Sequence, residues 1–180
     1  MKIYTKKGDQ GFTCLGTGDR VLKSDPRVEA YGAVDELSSL LGLARSYIQD
    51  EQEMENELRW IQEKLFVIAS VLAFPGTSCN EIQEISENDL LHLEVAIDKK
   101  MEELPPLTEF IVPGGTKSAA HIHYARSVCR SVERTVVSLL DPILLDTHIL
   151  PFLNRLGDYL FCAARLVNYR AGESENIAKI

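Results

Sequence analysis

Apolar residues recur at steps of three and four in five separate stretches of the chain, the period of an amphipathic helix. The first follows Ser24-Asp25-Pro26, where a capping residue and then proline favour a helix start. Val28, Tyr31, Val34, Leu37, Leu41, Ala44 and Ile48 then share one face. The second runs from about Glu51 to Phe74, with Leu58, Ile61, Leu65, Ile68 and Leu72 in a stripe that Pro75-Gly76 halts. The third opens near Ser86, an N-cap with Asp89 three residues on. It carries Leu90, Leu93, Ile97 and Met101 and ends at Pro105-Pro106. The fourth follows Pro113-Gly114-Gly115-Thr116, with Thr116 as N-cap, and runs to about Leu140. The fifth starts near His148-Ile149-Leu150-Pro151 and runs to about Arg170, with Gly172 closing it. No alternating strand pattern extends beyond a few residues. This predicts an all-α fold, an up-and-down five-helix bundle in one domain. Residues 1–23 form an irregular N-terminal loop, 24–171 the bundle and 172–180 a tail, and 75–85 read as a polar loop.

The chain of 180 residues is 45% apolar, enough for one sizeable core. Its net charge of −8 argues against nucleic acid or an anionic membrane as the main partner, so a basic site within it would be informative. Cys14, Cys79, Cys129 and Cys162 form no CxxC pair and no zinc spacing with the histidines, and they read as free thiols of a reducing compartment. With neither a signal peptide nor a membrane span apparent, the expected location is cytoplasmic.

Two segments stand out chemically. Thr5, Lys6, Gly8, Asp9, Gly11 and Thr13 lie within nine positions, and Gly16, Gly18 and Lys23 extend the pattern. Glycines let backbone N–H groups converge on an anion, and threonine and lysine add donors for phosphate oxygens. No Walker motif is present, and composition alone fits a solvated tail as well as a phosphate loop. In the fourth helix, Arg126, Arg130 and Arg134 are four apart and share a stripe, with Glu133 placed to orient Arg130. Aligned guanidinium groups suit a polyphosphate, although solvated arginines are the common alternative. Small and apolar neighbours (Ala125, Val128, Cys129, Val132) suggest that this helix, arginines included, is largely buried, and buried arginines need partners. Asp35 lies among apolar residues of the first helix on a face that looks packed, where an arginine of the fourth helix would be its natural partner. Asn154 can donate to a ligand hydroxyl or ring nitrogen. Phe110 reads first as core packing, and Gly114-Gly115 as either a turn or a close approach to a ligand. His92, His121, His123 and His148 form no metal constellation, and no nucleophile motif or general base is apparent.

Together these segments resemble the ATP:cob(I)alamin adenosyltransferases of the propanediol-utilisation type. The matching pieces are Tyr4-Thr5-x-x-Gly8-Asp9-x-Gly11, Arg27-Val28-Glu29-Ala30-Tyr31-Gly32-x-Val34-Asp35-Glu36-Leu37, Phe110-Ile111-x-Pro113-Gly114-Gly115, Ala125-Arg126-x-x-Cys129-Arg130-x-x-Glu133-Arg134 and Asn154-Arg155-Leu156-x-Asp158. They span nearly the whole chain. Lys7 and Ser131 depart from the family's usual residues, and the tail after Gly172 matches nothing that can be placed.

The resemblance implies a homotrimer with active sites between subunits, binding ATP, Mg²⁺ and a reduced cobalamin. It implies that Thr5, Lys6, Lys7, Gly8, Thr13 and Lys23 wrap the triphosphate and that Arg130, Glu133, Arg134 and Asn154 complete the nucleotide site. Asp35 and Arg126 would pair across the subunit interface. Phe110 would lie beneath the corrin ring and displace its lower ligand, and the product would pass to an adenosylcobalamin-dependent enzyme. No protein residue is implied as a metal ligand. Two other readings remain at this point: a nucleotide-binding scaffold without turnover, and a helical interaction protein with a disordered N-terminus.

Overall fold

The computed structural model describes residues 2–48, 51–76, 83–139 and 148–178. Among them are helices α1 (Pro26–Arg45), α2 (Gln52–Ala73), α3 (Glu87–Glu103), α4 (Lys117–Ser138) and α5 (Ile149–Arg170), and strands β1 (Phe12–Cys14) and β2 (Arg20–Leu22). The local signals set most boundaries. Asp25 accepts from the Arg27 N–H with Pro26 in the first turn. Ser86 and Asp89 form a reciprocal capping box. Thr116 accepts from Ala119 N–H, and Gly172 sits at φ 71 just beyond α5. Leu140, most of the loop expected at 75–85, and Cys79 lie outside the described residues.

Helix α5 is the axis of the bundle. Phe152, Leu156, Tyr159, Leu160, Ala163 and Ala164 are fully buried and contact with α3 on one side and α4 on the other. α4 packs on α1, and α1 packs on α2. Leu37, Leu41, Leu58, Ile61, Leu65, Ile122, Cys129 and Val132 fill the space between them. Removing a leucine from such a position typically costs about 2–5 kcal/mol.

Helix α3 departs from its expected stripe. Leu93 is buried, but Met101 is exposed, and Asp89 and Lys100 are buried instead. Their partners lie on α2: Lys64 Nζ is 2.7 Å from Asp89, and Lys100 Nζ is 2.5 Å from Glu57, which also accepts from Tyr159 Oη at 2.7 Å. Burial raises the Asp89 carboxyl, but hydrogen bonds from Lys64 and Ser86 outweigh it and hold the group below its ordinary value. A polar seam thus joins α2 to α3 where periodicity suggested leucine packing.

The N-terminal segment is less irregular than expected. β1 and β2 pair antiparallel, Phe12 opposite Leu22 and Cys14 opposite Arg20. Leu15 is buried, and Gly16 N–H donates to Ala73 O at the end of α2. The Phe74 ring lies against Gly16 so closely that a Cβ there would collide with it. Gly16 therefore docks the hairpin on α2 and is no part of a phosphate cradle.

Candidate functional site

The hairpin and the segment before it enclose a cleft of about 610 Å³ lined by Thr5, Lys7, Gly8, Phe12, Thr13, Cys14, Arg20 and Lys23. Five of the six residues that the resemblance assigns to the triphosphate, Thr5, Lys7, Gly8, Thr13 and Lys23, thus converge, whereas Asp9 and Gly11 do not line the cleft. Lys6 does not line the cleft; its backbone sits at φ 60, alone among the described non-glycine residues in the left-handed region. Such a conformation costs an ordinary residue about 1–2 kcal/mol and needs the surrounding turn to hold it. The Lys23 ammonium lies against Gly8, where an added Cβ would be 3.2 Å from Nζ. Arg20 stacks on the Phe12 ring at 4.3 Å. The cleft therefore gathers three cations, two hydroxyl side chains and one aromatic wall. Arg20 was not singled out from sequence; its position opposite Cys14 in a hairpin becomes visible only once the strands are paired.

The arginine stripe of α4 is not buried. The buried face is Ala119, Ile122, Ala125, Cys129, Val132 and Val136, and each arginine follows it by one or two positions, which turns it outward. Arg130 and Arg134 are exposed and form no ion pair or hydrogen bond among the described residues. Arg126 is half-buried over the Phe161 ring at 5.3 Å. Glu133 does not orient Arg130. It accepts from Asn154 Nδ2 at 3.2 Å, while Asn154 Oδ1 accepts from Arg155, which pairs with Glu94 at 3.1 Å. This relay from α3 through α5 to α4 fixes Asn154 beside the free guanidinium groups. Burial pushes the Cys129 thiol beneath them up to about 12, so it is an inert packing group.

Asp35 is exposed, not buried, because the core face of α1 runs through Val34, Leu37 and Leu41 on the other side of the helix. It has no hydrogen bond or ion pair among the described residues. Phe110 is 75% exposed and so is not the core residue that its apolarity suggests. The turn beyond it is rigid. Gly115 adopts φ 99, and a Cβ there would collide with the Asn168 amide. Buried Asn168 donates to Gly114 O and accepts from Thr116 N–H, both at 2.9 Å. Gly115 thus serves a turn clamped from α5. Asn168 was missed in the sequence, although a polar residue in the apolar run of α5 was a signal.

No hydrogen bond, ion pair or ring contact joins the N-terminal cleft to the α4–α5 stripe among the described residues. One chain thus presents two cationic half-sites and an exposed aromatic residue, each held by packed elements. Neither half contains three His, Cys, Asp or Glu side chains grouped to hold a metal.

Comparison with known proteins places this arrangement. Residues 3–167 match the model of a family described as cobalamin adenosyltransferase. The corrinoid adenosyltransferase MMAB of Bos taurus is 43% identical over 183 residues, covering 99% of this chain and 76% of that one. The corrinoid adenosyltransferase of Bacillus subtilis is 42% identical over 175 residues, covering 96% and 89%. A variant of the PduO-type ATP:corrinoid adenosyltransferase from Lactobacillus reuteri, solved with cobalamin and ATP, superposes with a TM-score of 0.90 at 38% identity, covering 99% of this chain and 100% of that one. The chain belongs to the cobalamin adenosyltransferase family.

Proposed function

We propose that this chain transfers the 5′-deoxyadenosyl group of ATP to the cobalt of cob(I)alamin, releasing triphosphate, at a site assembled between neighbouring copies. The observation that carries this is the pair of half-sites. The cleft of Thr5, Lys7, Gly8, Thr13 and Lys23 and the exposed Arg130 and Arg134 both suit polyphosphate, yet no hydrogen bond, ion pair or ring contact joins them among the described residues. A neighbouring copy in a homotrimer supplies the missing half. Asp35, without a partner here, then meets Arg126 across the interface, and Lys6 turns its neighbours toward the nucleotide.

The absence of a general base follows from the substrate. Cob(I)alamin is the nucleophile, the ribose C5′ is attacked, the C5′–O bond breaks and both electrons leave with triphosphate. The protein positions the reactants and stabilises charge on the leaving group. Arg130, Arg134 and Lys23 do the second, Glu133 and Asn154 orient the nucleoside, and Phe110 occupies the lower face of the corrin in place of its ligand. Mg²⁺, when bound with ATP, would offset charge on the triphosphate, and no side chain is assigned to hold it. The reaction is placed in the cytoplasm, with hand-off of product to an adenosylcobalamin-dependent enzyme.

Two variants separate the roles. Arg130→Ala is expected to raise KM for ATP and lower kcat by roughly 100-fold, the scale for losing one such donor, with corrinoid binding little changed. Phe110→Ala is expected to abolish formation of cob(II)alamin lacking a lower ligand while ATP binding persists. Equal loss of both substrates in both variants contradicts the assignment.

A further inference from the structure

The tail after Gly172, which nothing in the sequence places, returns along the segment that carries Phe110. Val112 N–H donates to Asn176 O at 2.7 Å and Ala178 N–H donates to Phe110 O at 2.8 Å, with Ile111 opposite Ile177 in an antiparallel bridge. Side chains alternate between the two faces of such a ribbon, so a slip of one residue would reverse every one of them. In the observed register Ile111 is half-buried, while Phe110 is 75% and Val112 50% exposed. The tail's register therefore decides on which side Phe110 emerges.

What holds that register is an ion pair between a buried arginine and a half-buried glutamate. Arg165 of α5 is 1% exposed, within an otherwise apolar run. Its Nε lies 2.5 Å from Glu175 Oε1, and its Nη2 donates to Pro105 O at 3.0 Å, where the chain leaves α3. A guanidinium this deep needs a carboxylate, and Glu175 is the one that faces it. Glu173 N–H donates to Asn168 O at 2.9 Å, so the tail is tied to α5 just before the pair as well. The Arg165 guanidinium also lies 5.9 Å from the Phe161 ring, whose other cation is Arg126.

We propose that Arg165 and Glu175 are positioning residues for the corrinoid half-reaction: their ion pair fixes the register of the tail against residues 110–112 and thereby aims Phe110. This rests on the role given to Phe110 above.

The test uses the full-length protein with cob(II)alamin, a reductant and ATP. It compares Glu175→Gln, Ala178→Pro and Phe110→Ala, singly and with each of the first two combined with the third. Ala178→Pro removes the N–H that Phe110 O accepts and restrains the backbone at 177–178, but leaves both side chains of the Arg165–Glu175 pair in place, so it remains informative where Glu175→Gln loosens the fold. Both tail variants are expected to lower kcat/KM for the corrinoid roughly tenfold, the scale of a small misplacement. They should reduce the cob(II)alamin signal lacking a lower ligand and leave KM for ATP within about twofold. In the Phe110→Ala background they should add little, because they act through the same ring. Wild-type corrinoid parameters in both tail variants overturn the proposal alone. So does a loss that adds fully to that of Phe110→Ala, or one that falls equally on ATP. If Phe110→Ala itself leaves the signal intact, both the ring's assigned role and the strap are overturned.

Discussion

Arginines decide most of what single residues contribute here, and they divide by partner. Arg165 is buried and paired; Arg130 and Arg134 are exposed and form no ion pair among the described residues. In a protein of net charge −8, two neighbouring guanidinium groups that meet no carboxylate among the described residues suit the anion that the proposed site would bind. His123 is the opposite case, a buried imidazole whose Nδ1 has no hydrogen-bond partner. Burial first and Arg126 second lower its pKa, while Glu175 acts weakly the other way. The folded chain thus keeps His123 neutral to lower pH than the unfolded chain, which takes up a proton below about pH 6.5. Stability from this group is intact above that pH and is lost as pH falls further, by at most about 1.4 kcal/mol per pH unit. Thermal melts between about pH 7.5 and 5.5 should show a steeper fall for the native chain than for His123→Gln. Parallel curves would remove His123 as the source.

At the scale of elements, the small hairpin is the part most exposed to a single change. It rests on α2 through Leu15, the Gly16 N–H and the Phe74 ring. Gly16→Ala is expected to displace β1 and β2 and raise KM for ATP roughly tenfold by misplacing Thr5 to Thr13. The bundle's melting temperature should barely move, since few buried contacts are lost. A variant with native KM would show that the hairpin's docking does not place the cleft. The helices were legible in the sequence because their ends are written locally, in Asp25-Pro26, Ser86 with Asp89, Thr116 and Gly172. The hairpin was not, because strands of three residues are too short for a period-2 pattern. The Asp89–Lys64 and Lys100–Glu57 seam was hidden for another reason. Hydrophobic periodicity assigns apolar residues to the core and cannot foresee charges buried in pairs. The exposure of Asp35 likewise depends on which face of α1 meets its neighbours, and that of Phe110 on how the loop between α3 and α4 lies over the bundle. The tail's return to Phe110 joins residues more than sixty positions apart, through contacts that only the folded bundle creates.

For the whole molecule, the proposed reading joins the two half-sites across neighbouring copies of a homotrimer. If Asp35 meets Arg126 of a neighbour, Asp35→Arg should shift the trimer toward monomer in sedimentation, because like charges would then oppose each other. Combining it with Arg126→Asp should restore the trimer. Unchanged assembly in the single variant, or no recovery in the double one, would refute that pairing. The chemistry of the assembled site is adenosyl transfer. It is tested by mixing the protein with ATP, Mg²⁺ and cob(I)alamin under strong reduction, following the cobalt–carbon spectrum and quantifying the phosphate product. The expected result is adenosylcobalamin with one equivalent of triphosphate for each cobalt alkylated. Absence of the alkyl spectrum, or release of diphosphate and monophosphate without it, would contradict the account.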